Sequence, residues 1–155
     1  MHDPVFEPLH EDFGARVRGI DLTRNLDASV VTTIRDAMDR YSVLVFPEQA
    51  MSDQAQLALT RKLGEPEPNH VTLGATGVVE YFATIGNVID AHNHKGNDDP
   101  HTRYQRGNNL WHSDSSFRLV PTKFSINHSY EAPGEGGETE FASQRAAYAR
   151  LPAQR

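Results

Sequence analysis

Glycine and proline interrupt this chain throughout, and that punctuation limits what it can fold into. Eleven glycines and nine prolines are spread over 155 residues. Long helical bundles are therefore disfavoured, and many short elements are expected. The longest apolar run, Val43-Leu44-Val45-Phe46, is far too short to span a bilayer. The length is enough for one domain with a real core. A formal net charge of −6 argues against a nucleic-acid partner, because a phosphate-backbone binder needs a basic stripe. Cysteine is absent, which excludes disulfide scaffolds, Cys-ligated zinc, iron–sulfur clusters and thiol catalysis. The opening Met1-His2-Asp3-Pro4 has neither the cationic start nor the apolar stretch of a secretory leader. The expectation is a cytoplasmic protein with no membrane partner, and a homo-oligomer stays open.

Periodicity sets the expected element order. Residues 13–22 partly alternate and read as a short strand. Asp27 or Ser29 can cap a helix whose apolar face is Val30, Val31, Ile34, Ala37, Met38 and Tyr41. Val43 to Phe46, closed by Pro47, reads as a buried strand. Ser52 can cap a second helix with Ala55, Ala58, Leu59 and Leu63 as its inner stripe and Gly64 at its stop. Residues 65–69 form a proline-containing turn, and 78–82 a strand. From 86 to 109 the pattern fails, and this polar stretch reads as a long loop over a site. Strand character returns at 110–114. It returns again at 123–130, where Phe124, Ile126, His128 and Tyr130 share a face. Gly134-Glu135-Gly136-Gly137 makes a tight turn before a short strand at 139–141, and 145–151 begins another helix. Helices first and strands later make an α+β pattern. The strands after residue 110 are too few to close a sandwich or barrel.

Trp111-His112-Ser113-Asp114 carries the chemistry. On a strand, residues two apart point to the same face, so His112 and Asp114 would aim an imidazole nitrogen and a carboxylate oxygen at one point. A facial ferrous site uses two histidines and one carboxylate and leaves open positions for oxygen and a co-substrate. Trp111 is expected to buttress the ligand strand. The bland alternative is that His-x-Asp is a common tripeptide. His92-Asn93-His94 with His101 is a rival cluster, but Lys95, Asp98 and Asp99 around it read as solvated loop. His128 reads as a hydrogen-bonded core histidine, and His2 and His10 as exposed. Asp98 and Asp99 lack the element-fixed partner that glycoside hydrolysis needs. No Gly-x-Ser-x-Gly elbow serves the serines beside His112. The Gly134–Gly137 turn is too short for a dinucleotide loop.

The stretch Asn108-Asn109-Leu110-Trp111-His112-Ser113-Asp114-Ser115-Ser116-Phe117 resembles the metal motif of the taurine/2,4-dichlorophenoxyacetate dioxygenases, which use ferrous iron and 2-oxoglutarate. Gly14-Ala15-Arg16-Val17-Arg18-Gly19-Ile20-Asp21-Leu22 resembles that family's opening strand. Ser42-Val43-Leu44-Val45-Phe46 with the helix to Gly64 resembles its strand–helix core. Gly136-Gly137-Glu138-Thr139-Glu140-Phe141 and Arg145-Ala146-Ala147-Tyr148 resemble the segment after the metal strand. The wording is nearest the phenoxyacetate branch. The resemblance implies an incomplete double-stranded β-helix, a jelly-roll relative with flanking helices, and residues 1–155 as the N-terminal part of a single dioxygenase domain. It implies Fe(2+) as metal, with 2-oxoglutarate and O2 as co-substrates. His112 and Asp114 match the first two iron ligands, and Thr139 matches the hydroxyl on the far carboxylate of 2-oxoglutarate. His70 and Asn108 match substrate-contacting positions.

The implied reaction oxidises a small organic acid such as a phenoxyalkanoate next to its ether oxygen, releasing a phenol with succinate and CO2. Taurine, alkylsulfonates and sulfate esters remain alternative substrates. The family's third ligand, a distal His, and its 2-oxoglutarate-binding Arg have no match here. No histidine follows Thr139, and Arg145, Arg150 and Arg155 follow no such histidine. The expectation is a partial sequence whose C-terminal half is absent, inactive by itself. A catalytically dead truncated remnant and a metal-independent jelly-roll binding module are the other readings.

Overall fold

A computed structural model describes residues 3–68, 81–83, 85–90 and 93–153. In chain order its elements are β1 (Val5–Pro8), β2 (Ala15–Arg18), α1 (Ala28–Tyr41), β3 (Leu44–Val45), α2 (Asp53–Leu63), β4 (Val88–Asp90), β5 (Asn93–His94), α3 (Pro100–Gln105), a 3-10 turn at Arg106–Asn109, and α4 (Gln144–Ala149). The chain divides into two compact units, Met1–Gly64 with Asn127–Arg155, and Glu65–Ile126. The mixture of helices and sheets is α+β. The strand expected at 78–82 lies largely outside the described residues.

The first unit is built on a three-stranded sheet in the order β1-β2-β3. β1 and β2 pair antiparallel, Val5 opposite Arg18 and Pro8 opposite Ala15. Gly14 closes the turn between them. Its carbonyl accepts from the Leu9 amide at 2.9 Å, and its φ of +83° is a conformation that glycine adopts without a Cβ clash. β2 then pairs parallel with β3, and α1 is the crossover between them. On β2, Ala15 and Val17 face the core, at 0% and 2% exposure. The alternation expected over ten residues narrows to these four paired ones.

Helix α1 buries Val31, Ile34 and Ala37 along one stripe, as its spacing predicts. Asp27 sits at its N-cap without a side-chain bond, and Ser42, at φ 63°, ends it. Helix α2 is capped by Ser52, whose Oγ accepts from the Ala55 amide at 3.2 Å. Its inner stripe is Ala55, Leu59 and Leu63 as expected, with Gln56 buried in place of Ala58, which faces outward. The two helices clamp each other's ends. Arg35 donates to the carbonyls of Lys62 and Leu63 at 3.0 and 2.8 Å, satisfying acceptors left over at a helix C-terminus. Lys62 donates to the Leu26 carbonyl at 2.8 Å.

The core cluster is Val17, Ile20, Leu22, Ile34, Met51 and Leu59, with Phe6, Leu44, Phe46 and Leu63 packed against it. Each fully buried aliphatic side chain contributes about 1.5–3 kcal/mol. Gln49 ties the loops over this core together. Its Oε1 accepts from the Leu22 amide at 2.8 Å, and its Nε2 donates to the Pro47 carbonyl at 3.0 Å. The strand expected to be buried at 43–46 is buried on one face only: Leu44 and Phe46 pack against the core, while Val45 is 42% exposed. Among the described residues β3 has only β2 beside it, and two of its residues pair.

The second unit corrects the reading of 86–109 as an unstructured loop. β4 and β5 pair antiparallel, and α3 begins at an Asp-Pro cap. The Asp99 carboxylate accepts from the amides of His101 and Thr102 at 2.9 and 3.3 Å, with Pro100 in the first turn. This is the standard use of proline where an amide has no partner.

The strands expected at 110–114, 123–130 and 139–141 are not formed among the described residues, where none of these segments enters a ladder. Residues 122–128 nevertheless keep a period-two burial pattern, with even positions half-buried and odd positions exposed. That is the inside–outside pattern of a strand in a segment that joins neither sheet among the described residues. The turn at 134–137 forms as expected, with Gly136 and Gly137 at φ 79° and 76°. The helix expected from 145 is α4, capped by the Ser143 hydroxyl. It is tied down by Arg145 to the Asp39 carbonyl and by Arg150 to the Asp12 carboxylate, each at 2.6 Å.

Candidate metal centre

His112 and Asp114 meet although no strand carries them. A turn begins at Asp114. Ser115 adopts a left-handed backbone at φ 52°, and its carbonyl accepts from the Arg118 amide at 3.1 Å. Ahead of this bend the two side chains converge, with His112 Nε2 3.2 Å from Asp114 Oδ1. Both are about half exposed, so solvent and ions reach them.

The hydrogen bonds around the pair decide which atoms are on offer. His112 Nδ1 lies 2.7 Å from the Leu110 carbonyl. A carbonyl only accepts, so Nδ1 carries the proton. In the neutral ring Nε2 then holds the lone pair, and it faces a carboxylate. That arrangement needs a positive charge between the two atoms, either a second proton or a cation. The Leu110 carbonyl, and more weakly the Asp114 carboxylate, accordingly raise the His112 pKa above its ordinary 6.5. The other Asp114 oxygen, Oδ2, accepts from the Ser125 hydroxyl at 2.7 Å, which leaves Oδ1 facing the imidazole.

This donor set fits a divalent cation as far as it goes. Ligands at bond lengths of about 2.0–2.2 Å on one metal lie roughly 3.0–3.4 Å apart, and 3.2 Å falls within that range. An imidazole plus a carboxylate suits iron, manganese or zinc. Among the described residues no group of three or more His, Cys, Asp or Glu is assembled to hold a metal. The pair offers one histidine and one carboxylate.

The other residues singled out from sequence lie elsewhere. His70 is outside the described residues. Asn108 is in the same unit as the pair, exposed on the 3-10 turn, and donates to Gln105 Oε1 at 3.1 Å. Thr139 belongs to the other unit and is exposed in an irregular segment. Trp111 does not buttress the pair. It is 70% exposed, and its segment joins neither sheet among the described residues. Of the rival cluster, His92 is outside the described residues, His94 is exposed on β5, and His101 contacts Gln105 at 3.4 Å. His128 is half-buried. Its Nε2 donates to the Gln49 carbonyl at 3.2 Å, and its ring meets Tyr130 edge-on. Ser125 was not singled out from the sequence, and nothing in its local wording marks it.

The family model described as "Taurine catabolism dioxygenase TauD, TfdA family" matches residues 6–155. The chain belongs to this family. It is 36% identical to the alpha-ketoglutarate-dependent 2,4-dichlorophenoxyacetate dioxygenase of Cupriavidus pinatubonensis, over 96% of this chain and 53% of that protein. It is 33% identical to the alpha-ketoglutarate-dependent sulfate ester dioxygenase of Pseudomonas putida, over 94% of this chain and 43% of that protein. Among solved structures, AAD-2 in complex with Mn(II) and N-oxalylglycine matches with a TM-score of 0.65 at 29% identity, over 77% of this chain and 39% of that one. The chain spans about half the length of the curated relatives it matches. Among the described residues, no helix is long and apolar enough to cross a membrane.

Proposed function

We propose that the intact protein is a ferrous iron, 2-oxoglutarate-dependent dioxygenase that oxidises a small organic acid, with a phenoxyalkanoate as the favoured substrate. In this reading residues 1–155 are the N-terminal part of a single dioxygenase domain and contribute part of a double-stranded β-helix. His112 Nε2 and Asp114 Oδ1 are two of the iron ligands. Bound iron would supply the redox chemistry that couples decarboxylation of 2-oxoglutarate to hydroxylation of the substrate by O2.

The chain's own residues prepare that site. The Leu110 carbonyl holds the proton on His112 Nδ1 and so keeps the lone pair on Nε2. Ser125 occupies Asp114 Oδ2, so Asp114 binds through one oxygen and leaves more positions open on the metal. The Thr139 hydroxyl donates to the far carboxylate of 2-oxoglutarate, and His70 and Asn108 contact the substrate acid. Hydroxylation beside an aryl ether oxygen gives a hemiacetal, whose ether C–O bond breaks to release a phenol while the hydroxylated carbon leaves as the carbonyl of a 2-oxo acid. The observation that supports this reading most is the 3.2 Å approach of His112 Nε2 to Asp114 Oδ1, in a chain of this family.

The test is succinate release by the full-length gene product with Fe(II), 2-oxoglutarate and O2. A panel of phenoxyacetates, both phenoxypropionate enantiomers, alkyl sulfate esters and taurine should give its highest turnover with an aryloxy acid. Highest turnover with a sulfate ester or taurine would move the assignment to that substrate class. Iron-independent turnover, or no succinate with any of them, would reject the proposal.

A further inference from the structure

Each side chain of the metal pair is aimed by a hydrogen bond, and the two bonds differ in origin. The His112 ring is oriented through Nδ1 by the Leu110 carbonyl at 2.7 Å, a backbone group two residues away. The Asp114 carboxylate is oriented through Oδ2 by the Ser125 hydroxyl at 2.7 Å, a side chain from 11 residues further on. All of these groups belong to the unit Glu65–Ile126.

An aspartate depends on such a bond more than a buried ligand would. Its carboxylate turns about a broad, two-fold torsion, and the Asp114 side chain is 54% exposed. Water alone would leave either oxygen free to face the imidazole or the solvent. A carboxylate is flat, so fixing one oxygen fixes the direction of the other. With Oδ2 on Ser125, Oδ1 lies 3.2 Å from His112 Nε2. A hydroxyl on an ionised acceptor is also a charge-assisted bond, about twice as strong as a neutral one.

The residues beside Ser125 explain why it can serve as a fixed point. Phe124 and Ile126 are half-buried, whereas Lys123 and Ser125 are exposed. Successive side chains of an extended segment leave on opposite faces. The two apolar side chains therefore anchor the segment, and the residue between them turns its hydroxyl outward to the exposed carboxylate.

We propose that Ser125 is a positioning residue for Asp114, its hydroxyl turning the carboxylate so that Oδ1 meets His112 Nε2 at one cation. Ser125 acts through Asp114 and is not itself a ligand. This role rests on the reading of the pair as a cation site. Loss of a partner that orients a metal ligand typically weakens metal affinity by about 10–100-fold.

The experiment is Mn(II) titration of the full-length gene product without 2-oxoglutarate or substrate, followed by the EPR signal of free Mn(II). His112→Ala is the control for the underlying reading. If wild type binds no Mn(II), or His112→Ala binds as well as wild type, the cation site is wrong and the role of Ser125 falls with it. If wild type binds and His112→Ala does not, Ser125→Val should weaken binding about tenfold or more, and Ser125→Thr should bind like wild type. Threonine and valine have nearly the same shape and differ by the hydroxyl, so a contribution of position 125 to folding alone would move both alike. Should Ser125→Val fail to fold, Ser125→Ala takes its place with the same loss expected. Wild-type affinity in the variant lacking the hydroxyl, or an equal loss in Ser125→Thr, overturns the proposal.

Discussion

The stretch from Val5 to Leu63 and the stretch from 110 to 153 both carry apolar side chains and treat them in opposite ways. The first buries Ala15, Val17 and Ile34 to 0%, 2% and 3% exposure. The second leaves Phe117 at 83%, Leu119 at 100% and Tyr148 at 78%. In the first, every strand finds its partner close by in sequence, β1 with β2 across one turn and β2 with β3 across one helix. In the second, 122–128 keeps a strand's inside–outside alternation but is in neither sheet among the described residues. A strand's backbone groups need a neighbour. The side-chain pattern records which face a segment means to bury, and it says nothing of where its neighbour comes from.

Paired substitutions sharpen this contrast. Ile34→Ala removes a core side chain and should lower stability by about 2–5 kcal/mol. Leu119→Ala, on a fully exposed side chain, should stay within about 0.5 kcal/mol of wild type. Urea denaturation midpoints measure both, and a large effect at Leu119 would break the comparison. Gly14 and Gly136 share nearly the same positive φ. Gly14→Ala should cost about 1–2 kcal/mol in the same measurement, because the β1–β2 turn is part of the cooperative fold. Gly136→Ala should leave the midpoint unchanged.

Ser52 and Ser143 cap helices in the same way, accepting from Ala55 and Ala146. Ser52→Ala should cost about 1 kcal/mol. Ser143→Ala should register only as fraying of α4, seen by amide hydrogen exchange.

The smallest effect concerns charge at the pair. His112 is raised above its ordinary pKa, chiefly by the Leu110 carbonyl and then by Asp114. A raised pKa means that the protonated form is favoured in the folded chain. Its contribution is fully present below the unfolded value near 6.5 and is lost as pH rises through the folded one. NMR titration of the His112 ring should therefore give a midpoint above 6.5. Asp114→Asn should lower that midpoint but not abolish the shift, since the Leu110 bond remains. A midpoint at or below the ordinary value would contradict the geometry. A cation competes with the same proton for Nε2, so metal binding should weaken as pH falls through this midpoint.

Local signals in the sequence were legible, and distant pairing was not. The stripe Val31, Ile34 and Ala37 announces α1, and Ser52 announces α2. Ala58 and Gln56 exchange their expected places because a long polar side chain can bury its stem while its end finds a partner, which hydrophobicity alone does not reveal. The Asp99-Pro100 cap was present in the sequence but lay within a polar stretch read as loop. Val45 is expected inside because its run is apolar, and it is outside because it shares the outward face of the sheet with Arg16, opposite the face from which Leu44 packs on the core. At the candidate site, the spacing of His112 and Asp114 is a two-residue signal. Ser125 reaches Asp114 from 11 residues away, and no local pattern encodes such a contact.

The central claim is that His112 and Asp114 share a divalent cation. It is tested most directly by mapping where Mn(II) broadens the NMR resonances of the wild-type chain. Broadening centred on His112, Asp114 and Ser125, and lost in Asp114→Ala, is the result expected. Broadening centred on His94 and His101 instead, or persisting unchanged in Asp114→Ala, would contradict it.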